Sequence, residues 1–245
     1  MTPEQDLADA IAAAPAPPCF WWRDDDAGAD DARLLPLLRV ARDRATPLAL
    51  AVVPAWLDER CVARLLAAAE VTVLQHGFAH ADHAAPPAKK IELGGTAPRA
   101  ALRRDLATGR ARLAEAFATR FVPALVPPWN RIAADLLPGL ADLGFTGIST
   151  YGPRARATEA GLRRVNTHLD LVAWREGGRH LDFAEAARGL AALVRRGLAE
   201  PIGILSHHQV MDAGAFSALD RLLALVQDQP RATLAAAGAL FGESG

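Results

Sequence analysis

The stretch CFWWRDDDAG, Cys19–Gly28, places four bulky residues directly ahead of an arginine and three consecutive aspartates. Three like charges in a row repel unless something positive sits among them. A metal ion is one such partner; a solvated loop is the other reading. The fold follows from what surrounds this stretch. CFWWR has the composition of a buried strand, and DDARLLPLLRVARDR after it has helical spacing.

The same alternation continues down the chain. PLALAVVP, VTVLQ, FVPALVP, FTGIST, RRVNTHLDL and PIGILSH are the later strand segments. LDERCVARLLAAAE, RAALRRDLATGRARLAEAF, RIAADLLPGLADLG, LDFAEAARGLAALVRRGLAE and AFSALDRLLALVQDQP are the helical ones. About seven βα units imply a parallel sheet, closed or nearly closed into a barrel. No glycine-rich phosphate loop follows any strand, which argues against a dinucleotide-binding sheet. Residues 1–18 read as an N-terminal helix and linker, and 19–245 as a single barrel domain. An irregular Pro- and Gly-containing stretch from Ala84 to Pro98 is long enough to be functional.

With 245 residues, 51% hydrophobic and a net charge of −1, the chain carries enough apolar residues for a sizeable core. It has no basic stripe interleaved with aromatics, so no nucleic-acid partner is expected. No apolar run approaches the roughly 20 residues of a membrane helix. The acidic, proline-broken N-terminal segment does not read as an export signal, and a cytoplasmic protein is expected. Cys19 and Cys61 show neither zinc-type spacing nor a disulfide framework, and read as small buried hydrophobes.

In a β/α barrel, function collects at the C-terminal ends of the strands. Six of the seven histidines fall in or just after those ends: His76, His80, His83, His168, His207 and His208. His83 and His180 read as structural or surface residues, and Asp30 and Asp31 as first-turn acids of a helix. His76 and His80, four apart, would share one side of a helical turn. A carboxylate from the first strand completes a two-histidine, one-carboxylate metal site. A neighbouring aspartate can then serve as general base, and a histidine of the last strand as general acid.

These motifs resemble the polysaccharide deacetylase family, carbohydrate esterase family 4, whose members include chitooligosaccharide deacetylases; the chain looks like a divergent intracellular member. The likeness runs through five short motifs from Arg23 to His208. It implies a distorted (β/α)7, TIM-like barrel and a divalent metal, most often Zn2+, with Co2+, Ni2+ or Mn2+ as alternatives. It also implies hydrolysis of N-acetyl or other non-peptide C–N bonds. Divergent members read Arg-x-Asp-Asp in the first motif, which makes Asp25 the base and Asp26 the metal ligand. Strict strand alternation would instead pair Asp24 with Asp26, and Asp24 with Asp25 is a third register. The second motif matches His76 and His80 as ligands. The third, Val126-Pro127-Pro128-Trp129-Asn130, makes the Trp129 N–H an oxyanion donor, with Pro128 beside the substrate. The fourth, Asp170-Leu171-Val172-Ala173-Trp174, makes Asp170 the partner of the acid and Trp174 a pocket wall. The fifth, Leu205-Ser206-His207, makes His207 the general acid, with Leu205 at the substrate.

Two positions depart from the family pattern. The third motif has Val126 where the family has an arginine that steadies the base, leaving Arg23 or Arg131 as substitutes. The fourth has Ala173 in place of its second aspartate. The expectation is a metal-dependent hydrolase acting on a saccharide or small metabolite. The alternatives are a catalytically impaired, metal-holding binding barrel and, ranked below it for want of a phosphate-binding basic group, a phosphoester hydrolase.

Overall fold

The computed structural model describes residues 1–242. Its principal strands are β1 (Cys19–Ala27), β2 (Leu48–Val52), β3 (Val71–His76), β4 (Phe121–Val126), β5 (Gly147–Ile148), β6 (Leu162–Arg164), β7 (Leu169–Asp170) and β8 (Ile202–Ser206). They lie in the order β6-β5-β4-β3-β2-β1-β8-β7, every neighbouring pair parallel. This is the distorted barrel of β/α units expected from the sequence. The helices are α1 (Pro3–Ala13), α2 (Leu34–Asp43), α3 (Glu59–Ala67), α4 (Arg99–Phe117), α5 (Phe183–Arg195), α6 (Ala213–Gln227) and α7 (Ala237–Phe241).

The ladder does not close as one continuous strand pairing. RRVNTHLDL, read as a single strand, is two: β6 pairs with β5 on one edge and β7 with β8 on the other. The residues between them span the gap, with Val165 N–H donating to Ile148 and His168 N–H to Gly203. The helix expected over RIAADLLPGLADLG is a 3₁₀ segment, Ala134–Gly139, because Pro138 inside it supplies no N–H to continue an α-helical ladder.

β1 is the centre of the barrel, and Phe20 through Asp24 are wholly buried. Alternation sorts its side chains. Phe20 and Trp22 face the helical layer with Leu48, Leu50 and Val52 of β2. Trp21 fills the barrel interior against Ala49, Ala51, Ala124 and Phe241. Small alanines on neighbouring strands leave the volume the indole occupies, and α7 closes that end, with Phe241 edge-on to Trp21 at 6.0 Å. α1 begins with a capping box between Thr2 and Gln5. Its Leu7 and Ile11 are buried in the main core. Cys61 is buried as expected, whereas Cys19 is only half-buried. No helix of the described residues is long and apolar enough to cross a membrane.

Truncating Trp21 empties the barrel interior. Trp21→Ala should therefore cost about 3–5 kcal/mol of unfolding free energy, read from the urea midpoint at unchanged m-value.

Candidate active site

The three aspartates of β1 go to three different places. Asp24 keeps the alternation and points to the helical side. There its Oδ2 accepts from Ser206 Oγ at 2.5 Å and from the His208 N–H at 3.1 Å, and its Oδ1 lies 2.5 Å from His208 Nδ1. Asp25 points into the barrel. Between Asp24 and Ala27, β1 advances three residues while β2 advances two, so the strand bulges. Asp26 takes φ 71° at this bulge. The bulge turns Asp26 to the same cavity as Asp25, which overturns the alternation reading and leaves Asp24 outside the site. The Gln209 side chain holds the bulge by donating to the Asp26 carbonyl at 2.6 Å.

Asp26 Oδ1 lies 3.1 Å from His76 Nε2 and 3.2 Å from His80 Nε2. One ligand atom from each of the three residues falls within a 4.8 Å group. Ligand atoms on one tetrahedral zinc, each 2.0–2.1 Å from it, lie about 3.3 Å apart. Asp26 Oδ1 is buried and takes no hydrogen bond among the described residues. His76 Nδ1 sits 2.9 Å from the Val126 carbonyl, which places its proton there and leaves Nε2 as a lone pair facing Asp26. Burial pushes the Asp26 carboxyl up, but His76 and His80 in their protonated form donate to it and hold it well below the ordinary carboxylate range, the stabilising role a cation takes over when the imidazoles are neutral. This donor set fits a divalent cation. The helical turn expected between the two histidines is absent: Gly77 at φ 54° and His80 at φ 57° make it a tight loop after β3.

Asp25 is gripped by Arg23 from the same strand. Arg23 Nε lies 2.8 Å from Asp25 Oδ1, and its Nη2 donates to Oδ2 at 3.0 Å. The remaining guanidinium donors reach Ser149 Oγ at 2.6 Å and Asn130 Oδ1 at 2.9 Å. Arg23 thus sets a guanidinium against Asp25, with Val126 at the third motif's arginine position. Arg131 also lines this cavity, but its guanidinium donates to the Lys90 carbonyl rather than to Asp25. Opposite, His207 Nδ1 stands 3.6 Å from Asp170 Oδ1. Asp170 accepts from the Val172 N–H and from Trp174 Nε1, both at 2.9 Å. Burial lifts the Asp170 carboxyl above its ordinary value, against the pull of His207. The Trp174 ring meets His207 edge-on at 5.1 Å.

A cavity of about 870 Å³ brings Asp25, Asp26, His76, His80, Trp129, Asp170, Trp174 and His207 together. Lys90, Tyr151 and Arg175 join them at its wall, unmarked by any motif. Lys90 Nζ sits 5.7 Å over the Trp129 ring, which in turn packs on His80 at 4.4 Å. Pro128 and Leu205 are not among the lining residues. Leu205 is fully buried in β8, in register with Arg23 and Asp170, and supports the site from behind. His168 also lies elsewhere: its Nδ1 accepts from Gly203 N–H and its Nε2 faces Glu200, ahead of β8. His83 is held by the Glu92 carbonyl at 2.8 Å.

No family model matches the sequence, and neither does any curated protein. Solved structures do match, at low identity. A protein from Mycobacterium smegmatis assigned as a polysaccharide deacetylase superposes with a TM-score of 0.70 at 17% identity, over 93% of this chain and 90% of that one. A family 4 acetyl xylan esterase from Clostridium thermocellum, in complex with a cobalt ion, gives 0.60 at 14%, over 91% and 90%. A carbohydrate esterase family 4 pseudoenzyme from Bacillus anthracis gives 0.60 at 13%, over 94% and 67%. The chain therefore has the fold of the polysaccharide deacetylases, at low sequence identity.

The Asp24–His208 contact sets a pH dependence. His208 Nε2 also faces Asp31 at 3.4 Å, just ahead of α2. Burial opposes a charged His208, but Asp24 and then Asp31 outweigh it and raise the group from 6.5 to about 10. A raised pKa gives stability that is complete below the unfolded value near 6.5 and is lost as pH climbs through about 10. Metal-free protein should therefore lose Tm steadily across that interval. Asp24→Asn should flatten the slope and cost about 3 kcal/mol at pH 6.

Proposed function

We propose that this chain is a metal-dependent hydrolase of a non-peptide C–N bond, an amide or N-acetyl group on a sugar or small metabolite. One observation carries the reading: the Asp26–His76–His80 donor set shares a cavity with an arginine-held Asp25 and, across from it, His207 backed by Asp170. Simple binding of a ligand needs no such acid and base.

Asp26, His76 and His80 would hold the ion, Zn2+ in this reading, which when bound polarises the amide carbonyl and makes water a better nucleophile. Asp25 takes the proton as water adds to the carbonyl carbon, and Arg23 holds that carboxylate in place. The Trp129 N–H stabilises charge developing on the carbonyl oxygen. His207 delivers a proton to the nitrogen as the C–N bond breaks, releasing a carboxylic acid and an amine. Asp170, 3.6 Å from His207 Nδ1, orients the imidazole. Trp129 and Trp174 offer flat faces on which a sugar or ring packs. We place the reaction in the cytoplasm, in keeping with two free cysteines, and in one domain spanning residues 19–245.

A second reading, a metal-holding barrel without catalysis, draws on Val126 at the position of the family's arginine and on the pseudoenzyme among the structural neighbours. Arg23 on Asp25 weighs against it.

The test joins metal analysis to turnover on a panel of N-acetylated sugars and cyclic amides, with and without chelator. Wild-type protein should carry near one metal per chain and lose activity with it. Asp26→Ala should lose both. His207→Ala should keep the metal and lose about 10²–10⁴-fold in kcat. Full turnover in His207→Ala would remove the acid assignment, and metal without turnover on any amide would favour the binding barrel.

A further inference from the structure

The irregular stretch after the second histidine carries a carboxylate that neither the motifs nor the proposed chemistry uses. Glu92 is 2% exposed and makes no ion pair with any described residue. Its partners are backbone N–H groups of the loop that carries the metal ligands. Oε1 accepts from Ala79 at 2.7 Å, His80 at 3.0 Å and Phe78 at 3.2 Å, and Oε2 lies 3.3 Å from the Phe78 nitrogen. Three successive N–H groups converging on one carboxylate form a nest, a concavity suited to an anion. Here the anion is built into the chain.

The loop is shaped around this carboxylate. A Cβ on Gly77 would lie 1.9 Å from Glu92 Oε2 and 2.7 Å from Pro128, so only glycine fits. His80 sits at φ 57°, a conformation a histidine adopts only when its surroundings impose it. Glu92 is itself anchored from both sides. Its carbonyl meets His83 Nδ1 at 2.8 Å, and the next residue, Leu93, bridges to Ile132 and accepts from the Ala133 N–H.

We propose that Glu92 is a positioning residue for the metal centre: it holds the strained 77–80 loop so that His80 Nε2 meets His76 Nε2 and Asp26 before any ion arrives. The inference rests on the Asp26–His76–His80 set being a metal site. Without Glu92, part of the binding free energy would go into ordering the loop, and affinity would fall although every ligand remained. Loss of a group that orients ligands from behind typically weakens metal binding about 10- to 100-fold.

The experiment measures Zn2+ affinity by competition with a fluorescent chelator, for wild type, Glu92→Gln and Asp82→Ala. The last removes a carboxylate of the same loop that accepts only from Ala84 and Ile91. Glu92→Gln should bind Zn2+ about 10- to 100-fold more weakly, with Asp82→Ala within about threefold of wild type. A merely structural role would lower the metal-free Tm and leave the affinity of the folded fraction unchanged. Equal affinity in Glu92→Gln and wild type overturns the inference and leaves the metal site standing; wild type that binds no Zn2+ overturns both. Should Glu92→Gln not fold, amide exchange in metal-free wild type decides. Protection at 78–80 supports the clasp, and exchange at open-loop rates overturns it.

Discussion

A guanidinium with no exposure at all sits at the centre of this barrel. Removing Arg23 from water costs several kcal/mol, and only a complete set of partners offsets that. The set is drawn from three places: Asp25 on its own strand, Asn130 after β4 and Ser149 after β5. Each partner stands at the C-terminal end of its strand, so the ion pair ties those ends together where the cavity opens. It also fixes where Asp25 points. A carboxylate held from both oxygens has little freedom to turn toward a cation held at Asp26, and in the proposed mechanism the two adjacent acids are thereby kept to separate tasks.

That separation needs the bulge in β1. In an unbroken strand Asp24 and Asp26 would share a face and Asp25 would oppose them. One extra residue reverses this beyond Asp24, putting two acids in the cavity and one behind it. The acid left behind binds Ser206 and His208, the residues on either side of His207. A single strand therefore supplies the proposed metal ligand, the proposed base, the guanidinium that holds that base, and a clasp that fixes the turn bearing the proposed acid.

Much of this was legible in the sequence, because the barrel and its polar rim are written in local patterns. Alternating apolar runs and amphipathic segments announce the βα units, and His76, His80, Asp170 and His207 stand at strand ends where the cavity forms. What stayed hidden depended on register or on backbone partners. No periodicity reveals a bulge, so the order of Asp24, Asp25 and Asp26 remained open. RRVNTHLDL reads as one strand although barrel closure divides it between two neighbours, and this also carried His168 to the rim on paper but not in space. Leu205 sits in a motif yet is fully buried and does not reach the cavity. Glu92 gave no signal, since its partners are N–H groups that any residue carries.

Four of the seven non-glycine residues at positive φ gather at one place: Asp26, His80, Trp129 and Asn130 all line the cavity, while Ala45, Ala118 and Ala160 lie elsewhere. Such conformations cost of order 1–3 kcal/mol each and persist only where the surroundings over-determine them. The surroundings are visible for each: Gln209 on the Asp26 carbonyl, Glu92 on the His80 N–H, and Arg23 on the Asn130 side chain adjoining Trp129. Every one of these supports is a buried or half-buried polar contact with no part in the proposed bond-breaking. The apolar core around Trp21 would fold a barrel without them. They are spent on holding a few side chains at angles the chain would not choose, and that expense, concentrated at one end of one cavity, is the physical ground for reading it as a site of chemistry.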